Sequence, residues 1–462
     1  TNSPHCRGVP ITLLRSMTKT FAPPSAAYLA TVLPAGPPPI MMASQSYSMI
    51  LNSFSKNRVW LNNKYHKHLW LNTDVKAVVL TAGEGARLGS WTSNRPKGMI
   101  PLGNRPILDH LIRGLVSAGI TEINMVVGYA RNSVMSYFGD GSSFGGKINY
   151  CFQDKPTGTL DAMKIGMSDI EGEFILVPGD NYVSATSFSS MKNYDGEALL
   201  SGQAERWSKW GEIEIRKGNP SITFDNPDAY GRIHFTGIMK LKKQTAEKLL
   251  LSPGKHIGES LQEISSQTSF EVLKAEYWHN IVYPWDLISG NRMALRDNLL
   301  FRSAKIEKNV VIKGEVSIGK GTVIRSGSYI LGPVSIGEGC DIGPNSVIGS
   351  AVSIGNNVIV GPFSEIVDSV VMSNCDLGSY TSIKGSVLGS GVSFGSHSIA
   401  IPSTRNIMYF DKEFSVSDRG AMIGDDCIIG SRAILQGGSI LLSGATIGDG
   451  EFYNADFQGD NI

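Results

Sequence analysis

Counting in steps of six from Ile306 lands on Ile312, Ile318, Ile324, Ile330, Ile336, Ile342, Ile348, Ile354, Val360, Ile366 and Met372, an unbroken apolar column. Chance would produce such a run on the order of once in a million. Glycine follows directly at Gly319, Gly337, Gly343, Gly349, Gly355 and Gly361, where a turn beside a short strand takes a residue without Cβ. The phase slips at Leu377 and Ile383, is lost between Pro402 and Gly420, and returns at Ile423, Ile429, Leu435, Leu441 and Ile447. A β-sandwich does not write this pattern, because its strands alternate with period two. The spacing predicts short strands joined by tight turns and stacked as a parallel β-helix, with the aliphatic residues forming an inward ladder.

The chain has 462 residues, which sets an expectation of two or three domains. Between Val75 and the repeats the grammar is β-α-β: the apolar run Val75 to Leu80, a glycine-rich turn, a helix, then "EINMVVGY". In the helix "PILDHLIRGLVSAGI", Leu108, Leu111, Ile112, Leu115 and Val116 make one apolar stripe that ends at Gly119. "KINYCFQ" and "EFILVPGD" continue the alternation. A Rossmann-like α/β domain with a mostly parallel sheet is expected over residues 75–299, with ligands at the carboxyl ends of its strands and the β-helix over 300–462.

Residues 1–74 read differently, with prolines crowded from Pro4 to Pro39, several Lys and Arg, and Asp74 as the only acid. We expect this leader to be unstructured or absent from the mature protein, with translation starting near Val75; intact-mass measurement of the native protein decides. The 42 basic and 41 acidic residues leave a net charge of +1, so neither nucleic acid nor a membrane surface is an expected partner. The five cysteines, Cys6, Cys151, Cys340, Cys375 and Cys427, form no metal or disulfide spacing, and a reducing, cytoplasmic setting is expected. No run of about 18 apolar residues suggests a membrane span.

The stretch "LTAGEGARLGSWTSNRPKGMIPLGNRPILDHLI" carries G-x-G-x-R-L, then P-K and a following proline. Taken with "PTGTLDA", "ILVPGD" and "WHNIVYPWDL" in order, it resembles the signature of sugar-1-phosphate nucleotidylyltransferases. The hexapeptide tail is similar to that of the branch joining this domain to a left-handed β-helix, so the resemblance covers about 75 to 450. It implies in-line attack of a sugar-1-phosphate on the α-phosphate of a nucleoside triphosphate, UTP or dTTP, with loss of pyrophosphate.

The chemistry asks for groups that hold two polyanions. Gly83 and Gly85 let backbone N–H groups approach phosphates, with Leu80 and Ala82 on the strand end beside them. The resemblance assigns Arg87 to the leaving pyrophosphate and Lys97 to the α-phosphate, and it places Gln153, Gly158 and Thr159 around the nucleotide. Asp180 and Asn280 fall where the family holds Mg²⁺. Outside such a motif, Arg87 and Lys97 would be a solvated surface pair and Asp180 a turn cap.

On the sugar side, Asp225, Thr236 and Gly237 match the family's segments, but Asn226 stands where a lysine is usual and Phe235 where an asparagine is. These departures support a second expectation, a catalytically silent nucleotide- or sugar-binding regulator. The third is an acetyl-CoA-dependent acyltransferase in the β-helix; there Ser379 occupies the usual His position, Ser382 a Tyr position, and His397 lies one coil later. By the same resemblance, the β-helix is expected to assemble a homo-oligomer, as a trimer or dimer of trimers.

Overall fold

The apolar run after Val75 forms the central strand of a nine-stranded sheet, Lys76–Thr81, flanked in parallel by Glu122–Val127 on one side and Glu173–Pro178 on the other. A computed structural model describes residues 75–455 apart from 204–210, 217–218, 224–232, 253–256, 266, 298–300, 302 and 411. The expectation for residues 1–74 lies outside the described residues. Beyond Glu122–Val127 the sheet continues with Lys147–Phe152, also parallel. The chain thus builds outward to one side of Lys76–Thr81 and then returns to its other side. That reversal is a topological switch point, where a crevice opens at the carboxyl ends of neighbouring strands.

Val78 and Val79 are fully buried, one on each face of the sheet, as a strand covered on both sides requires. The helix Ile107–Ser117 lays its predicted stripe on one face, with Leu108, Leu111, Ile112 and Leu115 all excluded from solvent. The long strand Ile233–Lys242 joins antiparallel to Glu173–Pro178 and extends the sheet towards Ala198–Gln203. Among the described residues no helix is long and apolar enough to cross a membrane.

From Lys305 onward the strands stack as three parallel sheets of eight, eight and seven, the faces of a left-handed β-helix. Pairing partners in the early coils lie eighteen residues apart, as in Ile306 with Ile324 and Ile324 with Ile342. Two later coils have seventeen, since Val360 pairs with Leu377 and Leu377 with Phe394. The shortening corrects one point of the sixfold count. Val371, not Met372, stacks on Ile354 inside the ladder. Met372 faces outward instead, into an apolar cluster shared with the sheet domain.

The ladder supplies its own test. Ile366 is fully buried between Ile348 and Ile383, whereas its neighbour Val347 on the adjoining coil points outward and is 39% exposed. Ile366→Ala is expected to cost about 2–5 kcal/mol in urea unfolding of the β-helix. Val347→Ala should stay within about 0.5 kcal/mol, and equal effects would contradict the inward assignment.

The lost phase between Pro402 and Gly420 is an antiparallel hairpin, Ser403–Tyr409 with Lys412–Arg419, projecting from the coils. It packs against the sheet domain. Tyr409 and Val416 are buried in a cluster with Leu88, Trp91, Ile281 and Trp285. Polar contacts extend this seam: Asn104 Nδ2 donates to the Ile354 carbonyl at 2.8 Å, and Arg292 Nε donates to Asp368 at 2.6 Å. The described residues accordingly form one compact unit.

Candidate active site

The glycine turn follows Lys76–Thr81 and Asp180 follows Glu173–Pro178, so the switch point brings them side by side. The Gly179 amide donates to the Leu80 carbonyl at 2.8 Å and ties the two strand ends together. A cleft of about 490 Å³ opens there. Leu80, Ala82, Gly83, Gly85, Arg87, Lys97, Gln153, Gly158, Thr159 and Asp180 all line it.

Gly85 has φ +77, and a Cβ added to it would lie 2.7 Å from the Cβ of Lys97. Both the left-handed backbone and this close approach call for glycine. The Leu88 amide donates to the Gly85 carbonyl at 2.9 Å, which closes the turn that presents Arg87 at the mouth of the cleft. Lys97 Nζ lies 2.8 Å from Asp180 Oδ2, and both side chains are about seven-eighths buried, at 13% and 14% exposure. In this state the cation neutralises the carboxylate, which would otherwise be costly to keep in a half-closed cleft.

Asn280 reaches Asp180 from a second ribbon. Trp278–Asn280 pairs antiparallel with Asn181–Val183, and Asn280 Nδ2 donates to Asp180 Oδ1 at 3.3 Å. It also donates to Asn181 Oδ1 at 2.8 Å, an atom that accepts a second hydrogen bond from Trp278 Nε1 at 2.9 Å. Asn280 Oδ1 is buried and has no hydrogen-bond partner among the described residues. A carboxylate beside an unsatisfied amide oxygen is the hard oxygen donor set that a small divalent cation prefers. No group of three His, Cys, Asp or Glu among the described residues could hold a metal alone. Phosphate oxygens and water would therefore complete the shell, as is usual for Mg²⁺.

Gln153 Nε2 donates to Thr157 Oγ1 at 3.2 Å, to the Gly158 carbonyl at 3.2 Å and to Asp161 Oδ2 at 3.1 Å. This fixes the loop that precedes the helix Thr159–Gly166. Hydrogen bonds from Thr157 and then Gln153 hold the Asp161 carboxyl below its ordinary range, so it accepts in its ionised form.

On the sugar side, Asp225 and Asn226 lie outside the described residues. Thr236 is fully buried, its hydroxyl donating to the Leu200 carbonyl at 2.8 Å. Gly237 has φ +80 within the bulge between Phe235 and Met239. Neither residue lines the cleft, although the Thr236 carbonyl accepts from Asn181 at 3.5 Å and so touches the network behind Asn280. Phe235 is also fully buried, in the core of the sheet domain. In the β-helix, His397 stacks on Tyr380 at 4.8 Å on an exposed corner, and Ser382 donates to Glu365 at 3.4 Å.

Sequence reading missed Asn181 and Trp278, which orient Asn280, and Tyr409, whose hydroxyl donates to the Arg87 carbonyl at 2.8 Å. Asn181 was discoverable only as the residue after the G-D pair. Tyr409 carries no local signal, because it lies 322 residues from its partner.

A family model described as nucleotidyl transferase matches residues 76–203, and another described as the GMPPB C-terminal domain matches residues 330–401. The chain is 30% identical over 408 residues to a "Bifunctional protein GlmU" of Methanococcus maripaludis, covering 84% of this chain and 97% of that protein. It is 31% identical over 410 residues to the protein of the same name from Methanococcus vannielii, with the same coverage of 84% and 97%. A "Probable mannose-1-phosphate guanylyltransferase 3" of Oryza sativa subsp. japonica is 26% identical over 270 residues, covering 54% of this chain and 74% of that one. With the glycine turn, the paired Lys97 and Asp180 and the stacked coils in place, the chain belongs to the sugar-1-phosphate nucleotidyltransferase family.

Proposed function

We propose that the protein transfers a nucleoside monophosphate from UTP or dTTP to a sugar-1-phosphate, with Mg²⁺ held by Asp180 and Asn280. The observation that carries this reading is the convergence of Arg87, Lys97 and Asp180 on one cleft at the switch point of the sheet. A phosphate oxygen of the sugar-1-phosphate attacks the α-phosphorus in line. As that P–O bond forms, the bond to the bridging oxygen breaks and its electron pair leaves with pyrophosphate.

Arg87, at the mouth, receives the outer phosphates with its fork of donors. Backbone N–H groups of Gly83 and Gly85 face the phosphates between them. Lys97 exchanges its contact with Asp180 for the α-phosphate, where negative charge develops. Asn181 and Trp278 hold Asn280 beside Asp180, where its amide oxygen would serve as a second ligand once the amide turns over. When bound, a divalent cation neutralises charge shared by the two substrates.

Residues 75–299 then form the catalytic domain and 300–462 the β-helix, which pairs copies of the chain as a trimer or dimer of trimers. Light scattering that finds a strict monomer would sink the assembly. The catalytic reading is tested by pyrophosphate release across UTP, dTTP and GTP against a set of hexose-1-phosphates, with Asp180→Ala as control. GTP is included because of the plant relative. If no pair exceeds the control, the chain is instead a silent nucleotide- or sugar-binding regulator.

A further inference from the structure

Arg87 and Lys97 stand at the two ends of one short segment, and that segment lies on the β-helix. At its start, Tyr409 donates its hydroxyl to the Arg87 carbonyl at 2.8 Å. In the middle, the Ser443 amide donates to Ser90 Oγ at 2.9 Å and Ser443 Oγ donates to the Ser90 carbonyl at 3.2 Å. Near its end, Arg95 pairs with Asp425, a carboxylate that is 4% exposed and also accepts from Asn94 Nδ2 at 3.4 Å. The three anchors come from the inserted hairpin and from two coils that follow it.

The first anchor is set in an aromatic cluster. Tyr409 is 1% exposed, set edge-on to Trp285 at 5.4 Å and to Phe410 at 4.8 Å. Burial raises the pKa of its hydroxyl, which therefore stays a donor throughout the neutral range. Beneath it the chain kinks at Gly89, with φ 54 and ψ −122, and a Cβ there would sit 3.4 Å from the Tyr409 hydroxyl. A peptide carbonyl pinned by a rigid ring fixes the direction in which its own residue projects, and here that residue is Arg87.

We propose that the β-helix is part of the nucleotidyl-transfer site, with Tyr409 a positioning residue that aims Arg87 at the pyrophosphate group, and Asp425 doing the same for Lys97 through Arg95. The roles of Arg87 and Lys97 are those given under the proposed function. The hairpin has the geometry of a brace, since it touches the backbone of the segment and leaves its cations facing the cleft.

Tyr409→Phe in the full chain removes one hydrogen bond and keeps the ring. Two readouts apply. In hydrogen exchange, the Leu88 amide is expected to exchange on the order of tenfold faster, while Val78 and Val126 in the same spectra stay as protected as in the parent protein. In activity, kcat for pyrophosphate release falls and inhibition by added magnesium pyrophosphate weakens, each by on the order of tenfold, with KM for the sugar-1-phosphate unchanged. A purely structural tyrosine would lower the protection of the core strands together with Leu88, and would not weaken pyrophosphate selectively. Unchanged Leu88 exchange, or core and segment loosening together, overturns the proposal. If the parent protein releases no pyrophosphate with any substrate pair, the transfer reading fails on its own, and the exchange experiment still decides the brace.

Discussion

Asp180→Ala is expected to lower kcat/KM for pyrophosphate release by on the order of 10³-fold. Two losses combine at this residue. Its carboxylate is, among the described residues, the charged member of the oxygen set around Asn280, and its Oδ2 is 2.8 Å from Lys97. Removing it therefore takes away the charge that attracts the cation and frees Lys97 from its resting position. Asp180→Asn tests the charge that both effects share, because it keeps the shape and loses only the charge. It should fall nearly as far in rate while unfolding at the temperature of the parent protein. Activity within tenfold of the parent in both variants, at saturating magnesium, would exclude Asp180 as a metal ligand.

Lys97→Met is expected to cost on the order of 10²- to 10³-fold in kcat, since the proposed function assigns this cation to the charge that develops on the α-phosphate. The same substitution should act in the opposite direction on metal binding. The ammonium lies 2.8 Å from one oxygen of Asp180, so a cation must displace it. Without that competitor, Mn²⁺ should bind on the order of tenfold more tightly to the nucleotide-free protein, as read by titration calorimetry. Mn²⁺ binding that is unchanged or weaker would show that Lys97 does not guard the site. The pair also predicts non-additivity: once Asp180 is gone, Lys97→Met should have little further effect on metal affinity.

The parts of this protein that could be read from its sequence are those whose physics is periodic or local. The ladder from Ile318 to Ile366 is legible because each inward position recurs at a fixed interval and must be apolar, whereas Ile306, at the first coil, is 43% exposed. That Gly85, Arg87 and Lys97 share one cleft is legible because they are close neighbours in the chain, and the left-handed backbone at Gly85 marks the turn that gathers them. Met372 was misplaced because coils of seventeen and eighteen residues cannot be told apart from a count that lands on an apolar residue either way. Thr236 sits in the right segment, yet its hydroxyl turns into the sheet to satisfy the Leu200 carbonyl, and no pattern records which way a residue in a bulge faces. Tyr409 was out of reach for a different reason, since its partner is a backbone carbonyl, and a carbonyl leaves no trace in residue identity.

The two shortened coils have a consequence of their own. A stack of identical turns is translationally symmetric, and nothing along such a column distinguishes one height from another. Dropping one residue from each of two successive turns breaks that symmetry and marks a level. At that level Met372 leaves the interior and accepts from Arg95 Nη1 at 3.5 Å, while Asp368 meets Arg292. This level is one point on a longer seam, which runs along the same face from Asn104 at the Ile354 carbonyl to Ser90 at Ser443. Two missing residues thus give an otherwise repetitive rod one distinguishable height within that seam.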